Sequence, residues 1–337
     1  MESTATPQPM GTQPMGPEAG YWRGELESRR ERLLAATEAG VAESSLRELL
    51  SSVDAALARL DSGTFGICER CHGTIEAERL FSDPLVRFCL DDLNAEEQRA
   101  LERDLALAAD IQRALLPPSD WSIDGWQARY HYQPAKIVSG DYCDLIPSNS
   151  GFLFLFGDVA GKGVAASMLM THLHATFRSL AGQHLALSSL IGHANRLFCE
   201  STTAGQYATM IVGAAHSDGR VEYVSAGHLP LFHIAGDGVR CGAATGVPLG
   251  MFSSTEYAVC RLQLAPGDRL FLYTDGLTEA FNSAGVEFGQ ERVQSLAKRH
   301  SAEHPQALLS ACLDEMQSFS SGKPADDLTM LVLHRSH

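Results

Sequence analysis

The chain has 337 residues, 45% hydrophobic and 20% charged, which fits two or three folded domains better than one. Its formal net charge of −15 excludes the basic surface that duplex nucleic acid requires; only Arg29-Arg30-Glu31-Arg32 concentrates positive charge, within a mixed-charge segment. No apolar run is long enough to span a membrane, and the opening Met1-Glu2-Ser3-Thr4-Ala5-Thr6-Pro7 has no basic segment leading into an apolar one. A cytoplasmic protein is expected, with its eight cysteines reduced or bound to metal.

Residues 1–20, rich in Pro, Gly, Thr and Gln, read as a disordered tail. Residues 21–61 read as a helical hairpin. Leu26, Leu33 and Leu34 lie in its first arm, Leu46, Leu49, Leu50, Val53, Leu57 and Leu60 at helical spacing in its second, and Gly40 breaks the two. Cys68-x-x-Cys71 and Cys89 follow, closing a segment that spans 21–93. A third helix is predicted from about Asn94 to Leu116, with Leu101, Leu105, Ala108, Ile111 and Leu115 on one face. Pro117-Pro118 stops it, so 94–117 suits either a coiled-coil connector or a helix packed on its own domain.

The character changes over 118–337, where strands such as Phe152–Phe156 and Arg269–Tyr273 appear. Tyr207–His216, the Asp218-Gly219 turn and Arg220–Ser225 read as a β-hairpin. Helices are predicted at about 164–181, 186–200, 290–300 and 304–319. Strands cluster instead of alternating with helices, which argues for an α+β domain with a mainly antiparallel sheet.

Four segments carry aspartates at places suited to chemistry: Ser139-Gly140-Asp141, Gly157-Asp158-Val159, Thr274-Asp275-Gly276 and Asp326-Asp327. Asp158 and Asp275 each follow an apolar strand, and Asp326-Asp327 precedes Leu328–Leu333. Carboxylates on neighbouring strand ends repel one another, and hard divalent cations with oxygen ligands remove that cost. Two such ions activate a water and clamp a phosphoryl oxygen. Taken singly, Asp158 or Asp275 reads equally well as a turn cap.

Read together, residues 110–335 resemble the SpoIIE/RsbU branch of the metal-dependent PPM phosphatases. The matching segments, in order, are Ile111–Pro117, Val138–Tyr142, Gly157–Gly163, Tyr207–Met210, Ser225–His228, Gly246–Gly250, Tyr273–Ala280 and Asp326–Thr329. The resemblance implies a β-sandwich flanked by helices, with two Mn²⁺ or Mg²⁺ ions at one end. Asp158 would bridge the ions and the Val159 carbonyl would add a ligand. Asp275 and Asp326 would complete one shell, with Asp327 the alternative to Asp326, and Asp141 would belong to the same site. Asp144 is expected beside the site or on the surface, Cys143 as a buried small residue, Lys162 in solvent or on phosphate, and His228 in a structural hydrogen bond. Gly161 and Gly163 are expected to allow a tight turn into a helix.

The implied activity is serine/threonine phosphoprotein phosphatase, acting on a phosphorylated STAS-domain anti-sigma-factor antagonist in bacterial stress signalling. The 94–117 helix would be a regulatory linker, and a homodimer through it is expected. A pseudophosphatase scaffold is the alternative, although no aspartate of the set is missing.

Residues 25–93 resemble the DksA/TraR-type zinc-finger proteins, through Asp61–Cys68, Cys71, Ile75–Leu80 and Cys89. The resemblance implies one Zn²⁺ on Cys68, Cys71 and Cys89, with Asp92 where that family has its fourth cysteine and His72 as substitute. It also names RNA polymerase as a partner, and hence a transcription-associated binding protein as a further reading. The short hairpin, whose turn lacks paired aspartates, speaks against that partner and for a sensory or docking module.

Overall fold

A computed structural model describes residues 18–38, 43–92, 95–202, 205–320 and 326–336. The expected 1–20 tail lies outside the described residues up to residue 17, but its last three residues are helical, a correction to that reading; the hairpin break at Gly40 also lies outside the described residues. The chain divides into two compact units, 1–102 and 103–337. Among the described residues no helix is long and apolar enough to cross a membrane.

In the first unit, α1 (Glu18–Glu38) packs along α2 (Glu43–Asp61). Arg23 pairs with Asp61 at 2.5 Å and Arg30 with Asp54 at 2.6 Å, so the helices run antiparallel. Trp22 and Leu26 meet Val53 and Ala56 in a small core that also takes in Phe65, Ile75, Cys68 and Cys89. Leu80, on α3 (Ala77–Ser82), closes it.

The next helix, α4 (Ala95–Leu115), contains the boundary between the units. Leu101, Leu105, Ala108 and Leu115 lie on its less exposed side, as periodicity suggested, but Ile111 does not. Ile111, expected inside, is 55% exposed, whereas the polar Gln112 is 4% exposed. The reason is pairing: Gln112 Nε2 donates to the Ser139 carbonyl at 2.7 Å, and Ser139 N donates back to Gln112 Oε1 at 3.0 Å. An amide side chain with both ends satisfied by backbone is buried at little cost.

The second unit is a sandwich of two sheets with helices on both outer faces. After β1 (Ser122–Ile123) come β2 (Trp126–Gln133), β3 (Asp141–Ser148) and β4 (Gly151–Val159), then α5 (Val164–Ala181) and α6 (Leu187–Ser201). The hairpin β5 (Ala208–His216) and β6 (Arg220–Ala226) follows, then β7 (Phe232–Ala235), β8 (Gly238–Cys241), β9 (Cys260–Gln263) and β10 (Arg269–Tyr273). The short α7 (Asp275–Thr278), α8 (Gln290–Arg299), α9 (Pro305–Phe319) and β11 (Leu328–Arg335) complete it. One sheet has the order β1-β2-β11-β10-β7-β8 and the other β3-β4-β5-β6-β9, with neighbouring strands antiparallel throughout. The expected α+β class and the 207–225 hairpin are therefore found.

Strand periodicity sorts the side chains into three layers. Phe152, Phe154 and Phe156 of β4 face Leu270, Leu272, Leu331 and Leu333 between the sheets. Leu155 and Val159 point the other way, onto Met170, Leu173 and Phe177 of α5 and Ile191 and Phe198 of α6. Phe271, Met330 and Val332 pack outward under α8 and α9. Each buried phenylalanine contributes roughly 2 kcal/mol of apolar transfer energy. The same alternation places Asp141 on the inner face with Cys143 and Leu145, and Asp158 on the inner face with Phe156, at one end of the inter-sheet core.

Candidate metal centre and active site

Four chain segments meet at that end. Asp141 and Asp158 are Cα partners across β3 and β4. Asp275 opens α7 directly after β10, and Asp326 and Asp327 lead into β11, which pairs with β10. Gly276 fixes the close approach of these last two segments, since a Cβ there would lie 2.0 Å from the Asp327 carbonyl oxygen. Gly140 does the same on the other side: its Cβ would lie 2.9 Å from the Val159 carbonyl oxygen and 3.0 Å from Asp158 Oδ1. Gly140 thus packs its backbone closely against an aspartate oxygen and the carbonyl expected to act with it.

Asp141 is 1% exposed. Its Oδ2 accepts from Thr329 Oγ1 at 2.5 Å and from Thr274 Oγ1 at 3.1 Å. Its Oδ1 is buried with no hydrogen-bond partner. Burial, followed by the charge of Asp158, raises the Asp141 carboxyl well above the usual carboxylate range. Burial and then Asp275 push Asp158 up to about 8. Burial and then Asp326 push Asp275 up to about 6. A buried carboxylate oxygen without a donor, beside carboxyls that resist ionising, is the electrostatic state that a hard cation relieves. The all-oxygen donor set fits Mg²⁺ or Mn²⁺ rather than a thiolate-seeking ion.

The adjacent aspartates, which the sequence left as alternatives, have different surroundings. Asp327 is 5% exposed, with Oδ1 accepting from Ala135 N at 2.7 Å and Oδ2 from Gly140 N at 2.8 Å. Both of its oxygens thus hold the loop that delivers Asp141. Asp326 is more exposed, and its Oδ2 lies 2.8 Å from Lys162 Nζ. Asp327→Ala should cost about 2 kcal/mol in urea unfolding under chelator, because two backbone donors lose their acceptors. Asp326→Ala should stay within about 0.5 kcal/mol of wild type in the same experiment.

Other expected residues fall as follows. Gly161 and Gly163 have φ of +107° and +77°, and α5 starts directly after them. Cys143 is buried, and burial raises its thiol. His228 Nε2 donates to the Tyr273 carbonyl at 3.2 Å, which leaves Nδ1 to accept from Thr209 Oγ1 at 2.8 Å. Burial lowers its pKa to about 4, so it is a neutral structural residue. Asp144 needs correction: it is neither beside the carboxylates nor on the surface. It is fully buried and pairs with Arg178, Nε at 2.8 Å and Nη2 at 2.6 Å. Lys162, expected in solvent or on phosphate, is part exposed, with its ammonium 2.8 Å from Asp326 Oδ2.

Three contributors went unread in the sequence. Thr274 and Thr329 are fully buried, and the signal was present: Thr329 lies two residues beyond Asp327 on the inward-facing period of β11. Ser139 donates no obvious motif signal, yet its Oγ accepts from Asp141 N at 3.0 Å.

A second cluster lies in the first unit. The sulfurs of Cys68, Cys71 and Cys89 all lie within 4.8 Å of one another, and Cys71 Sγ is 3.6 Å from Cys89 Sγ. Among the described residues this is the one such tight group of three metal-ligating side chains, the carboxylate cluster being wider. Gly73 N donates to Cys71 Sγ at 3.4 Å, and Cys68 N to the Gly73 carbonyl at 2.8 Å, so the turn curls around the sulfurs. His72 is exposed and outside the group; the side chain of Asp92 lies outside the described residues.

The family described as Stage II sporulation protein E (SpoIIE) matches residues 148–336, more than half of the chain. The chain is 26% identical to the phosphoserine phosphatase RsbU of Bacillus subtilis over 244 residues, 71% of this chain and 72% of that protein. It is also 26% identical to protein IcfG of Synechocystis over 265 residues, 69% of this chain but 42% of IcfG, so it spans less than half of that relative's length. The PP2C domain of SiaA from Pseudomonas aeruginosa shares the fold, with a TM-score of 0.63 at 20% identity over 71% of this chain and 98% of that domain. The chain therefore belongs to the SpoIIE family, and its second unit carries the fold of a PP2C domain.

Proposed function

We propose that the protein is a metal-dependent phosphoprotein phosphatase that removes phosphate from serine or threonine. The observation that carries this reading is the unpartnered, buried Asp141 Oδ1 on the residue that faces Asp158 across the strand pair. Asp141, Asp158, Val159, Asp275 and Asp326 would hold two Mn²⁺ or Mg²⁺ ions, with Asp327 bracing them from behind. Bound there, the ions supply an activated water and charge neutralisation at the phosphoryl group. The residues' own work is placement. Thr274 and Thr329 orient Asp141 through one oxygen and leave the other for the cation. Asp158, Asp275 and Asp326 are half-buried, so a phosphorylated side chain can reach them while the strands and turns hold them in place.

The substrate class proposed is a phosphorylated STAS-domain protein of a bacterial sigma-factor switch, supported by the likeness to a phosphoserine phosphatase over most of its length. Hydrolysis of a small aryl phosphate by the full chain tests the activity. Turnover that requires Mn²⁺ and vanishes in chelator supports it. Absence of turnover at saturating Mn²⁺ favours a scaffold that binds its partner without hydrolysis.

A homodimer through α4 is supported by Leu107 and Ile111, 60% and 55% exposed one helical turn apart. Sedimentation should show a dimer that Leu107→Glu with Ile111→Glu converts to monomer; an unchanged sedimentation coefficient would refute the interface.

The cysteine cluster supports zinc as a structural ion of the first unit, since three sulfurs at this spacing with an N–H···S bond match thiolate coordination. Gently purified protein should carry about one zinc per chain, and Cys89→Ser, at a buried position, should lower it below about half. Elemental analysis decides.

A further inference from the structure

One cation is already present among the carboxylates. Lys162 is the side chain between Gly161 and Gly163, in a turn whose two positive φ values are set by glycine on either side. That turn joins β4, which carries Asp158, to α5. It delivers the ammonium to Asp326 Oδ2 at 2.8 Å, with side-chain exposures of 44% and 31%. Asp326 Oδ1 is engaged locally, accepting from Asp327 N at 2.9 Å. Asp327 is not available to a cation in the same way, because backbone amides occupy both of its oxygens.

We infer that Lys162 is a built-in surrogate cation: it neutralises Asp326 in the metal-free protein and is displaced when a divalent ion takes that carboxylate. The inference rests on the phosphatase reading above, specifically on Asp326 as a ligand. A lysine suits such a task. Its charge is a point on a flexible four-carbon stem, so it leaves without moving backbone, whereas a bidentate arginine would resist. It is half exposed, so water receives it when it leaves. The pair therefore weakens the binding of one ion and leaves the other untouched. It also protects the metal-free fold from the repulsion among its own carboxylates. Affinity for one ion is lowered and metal-free stability raised by the same contact, as linkage requires.

The test uses the full chain, stripped by chelator and titrated with Mn²⁺, with free Mn²⁺ counted by electron paramagnetic resonance. Wild type should show two binding steps. Lys162→Gln should tighten one step roughly two- to fivefold, the range open to a partly exposed pair, and leave the other unchanged. The same variant should melt below wild type in chelator and level with it in saturating Mn²⁺. Lys162→Arg, which keeps the charge and the partner, should not tighten either step. Equal tightening of both steps would reveal a bulk charge effect and overturn the inference, as would no change in either. A wild-type protein that binds no Mn²⁺ at all would overturn the phosphatase reading itself, and this inference with it.

Discussion

Asp158→Asn should abolish Mn²⁺-dependent turnover, by roughly 10³-fold or more, while making the metal-free protein more stable at alkaline pH. The two halves of this result have one cause. Asp158 sits on the inner face of the sandwich, opposite Asp141 and within the fields of Asp275 and Asp326. Burial and those charges raise its pKa to about 8 in the fold, against an ordinary value near 4 when unfolded. For an acid raised on folding, the folded state binds more protons across that window. Stability is therefore full below about pH 4 and is lost as pH rises toward 8. Asparagine cannot ionise, so the variant escapes the loss. Thermal melting in chelator at pH 8 should show the variant higher by about 5 °C, with the gap closing near pH 4. Saturating Mn²⁺ should restore wild type and leave the variant unaffected. A wild-type melting temperature independent of pH in chelator would show that the carboxylates are not crowded as described.

Arg178→Ala should destabilise the second unit by about 3 kcal/mol, which is large for a residue whose side chain is 44% exposed. The cost belongs to its partner. Asp144 is fully buried between β3 and α5, where Arg178 holds both of its oxygens. Without the guanidinium, the carboxylate keeps the Leu145 amide at 2.8 Å and the weak contact of Tyr142 Oη at 3.4 Å. His174 Nε2 is 3.6 Å away, but burial lowers its pKa, so it is a poor replacement for a fixed charge. Replacing both partners, Asp144→Leu with Arg178→Met, should recover most of the loss, because the penalty is an unpaired buried charge and not a missing attraction. Chemical denaturation of the three proteins measures it; equal stability of Arg178→Ala and wild type would show that the pair does not carry this energy. Asp144 lies on the strand that begins at Asp141, and Arg178 on the helix that begins beside Lys162. The pair therefore ties together the two sides of the candidate site.

How much of this was legible beforehand differs by residue. Asp158 and Asp275 could be singled out only jointly, because each follows an apolar strand and either one alone reads equally well as a turn cap. The α5 helix could be read from its apolar spacing after a glycine turn. The choice between Asp326 and Asp327 could not be made, because neighbouring residues point to opposite faces and the register of β11 was unknown. Gln112 was hidden by its own chemistry: a polar residue in an amphipathic helix reads as solvent-facing unless its backbone partner, Ser139, is known to lie beside it. Asp144 was misread for the same reason, its counter-ion Arg178 being far along the chain on α5. The cysteine trio needed no geometry to be noticed, since its spacing alone is distinctive.

The register of β3 and β4 has a kinetic consequence. Asp141 and Asp158 face each other at the open end of a hairpin whose strands are joined by Asn149-Ser150. Pairings between strands joined by so short a link are local and form early. The repulsion between the two carboxylates thus arrives during the search for strand register, before helices and the second sheet have closed over them. A slip of one residue would separate the charges but turn Phe152, Phe154 and Phe156 out of the core. Hydrophobic burial and electrostatics pull the nascent hairpin in opposite directions, and a divalent ion removes the conflict. Refolding should accordingly be faster with Mg²⁺ present from the start than with Mg²⁺ added afterwards, a difference visible in the folding limb rather than in the rate of unfolding.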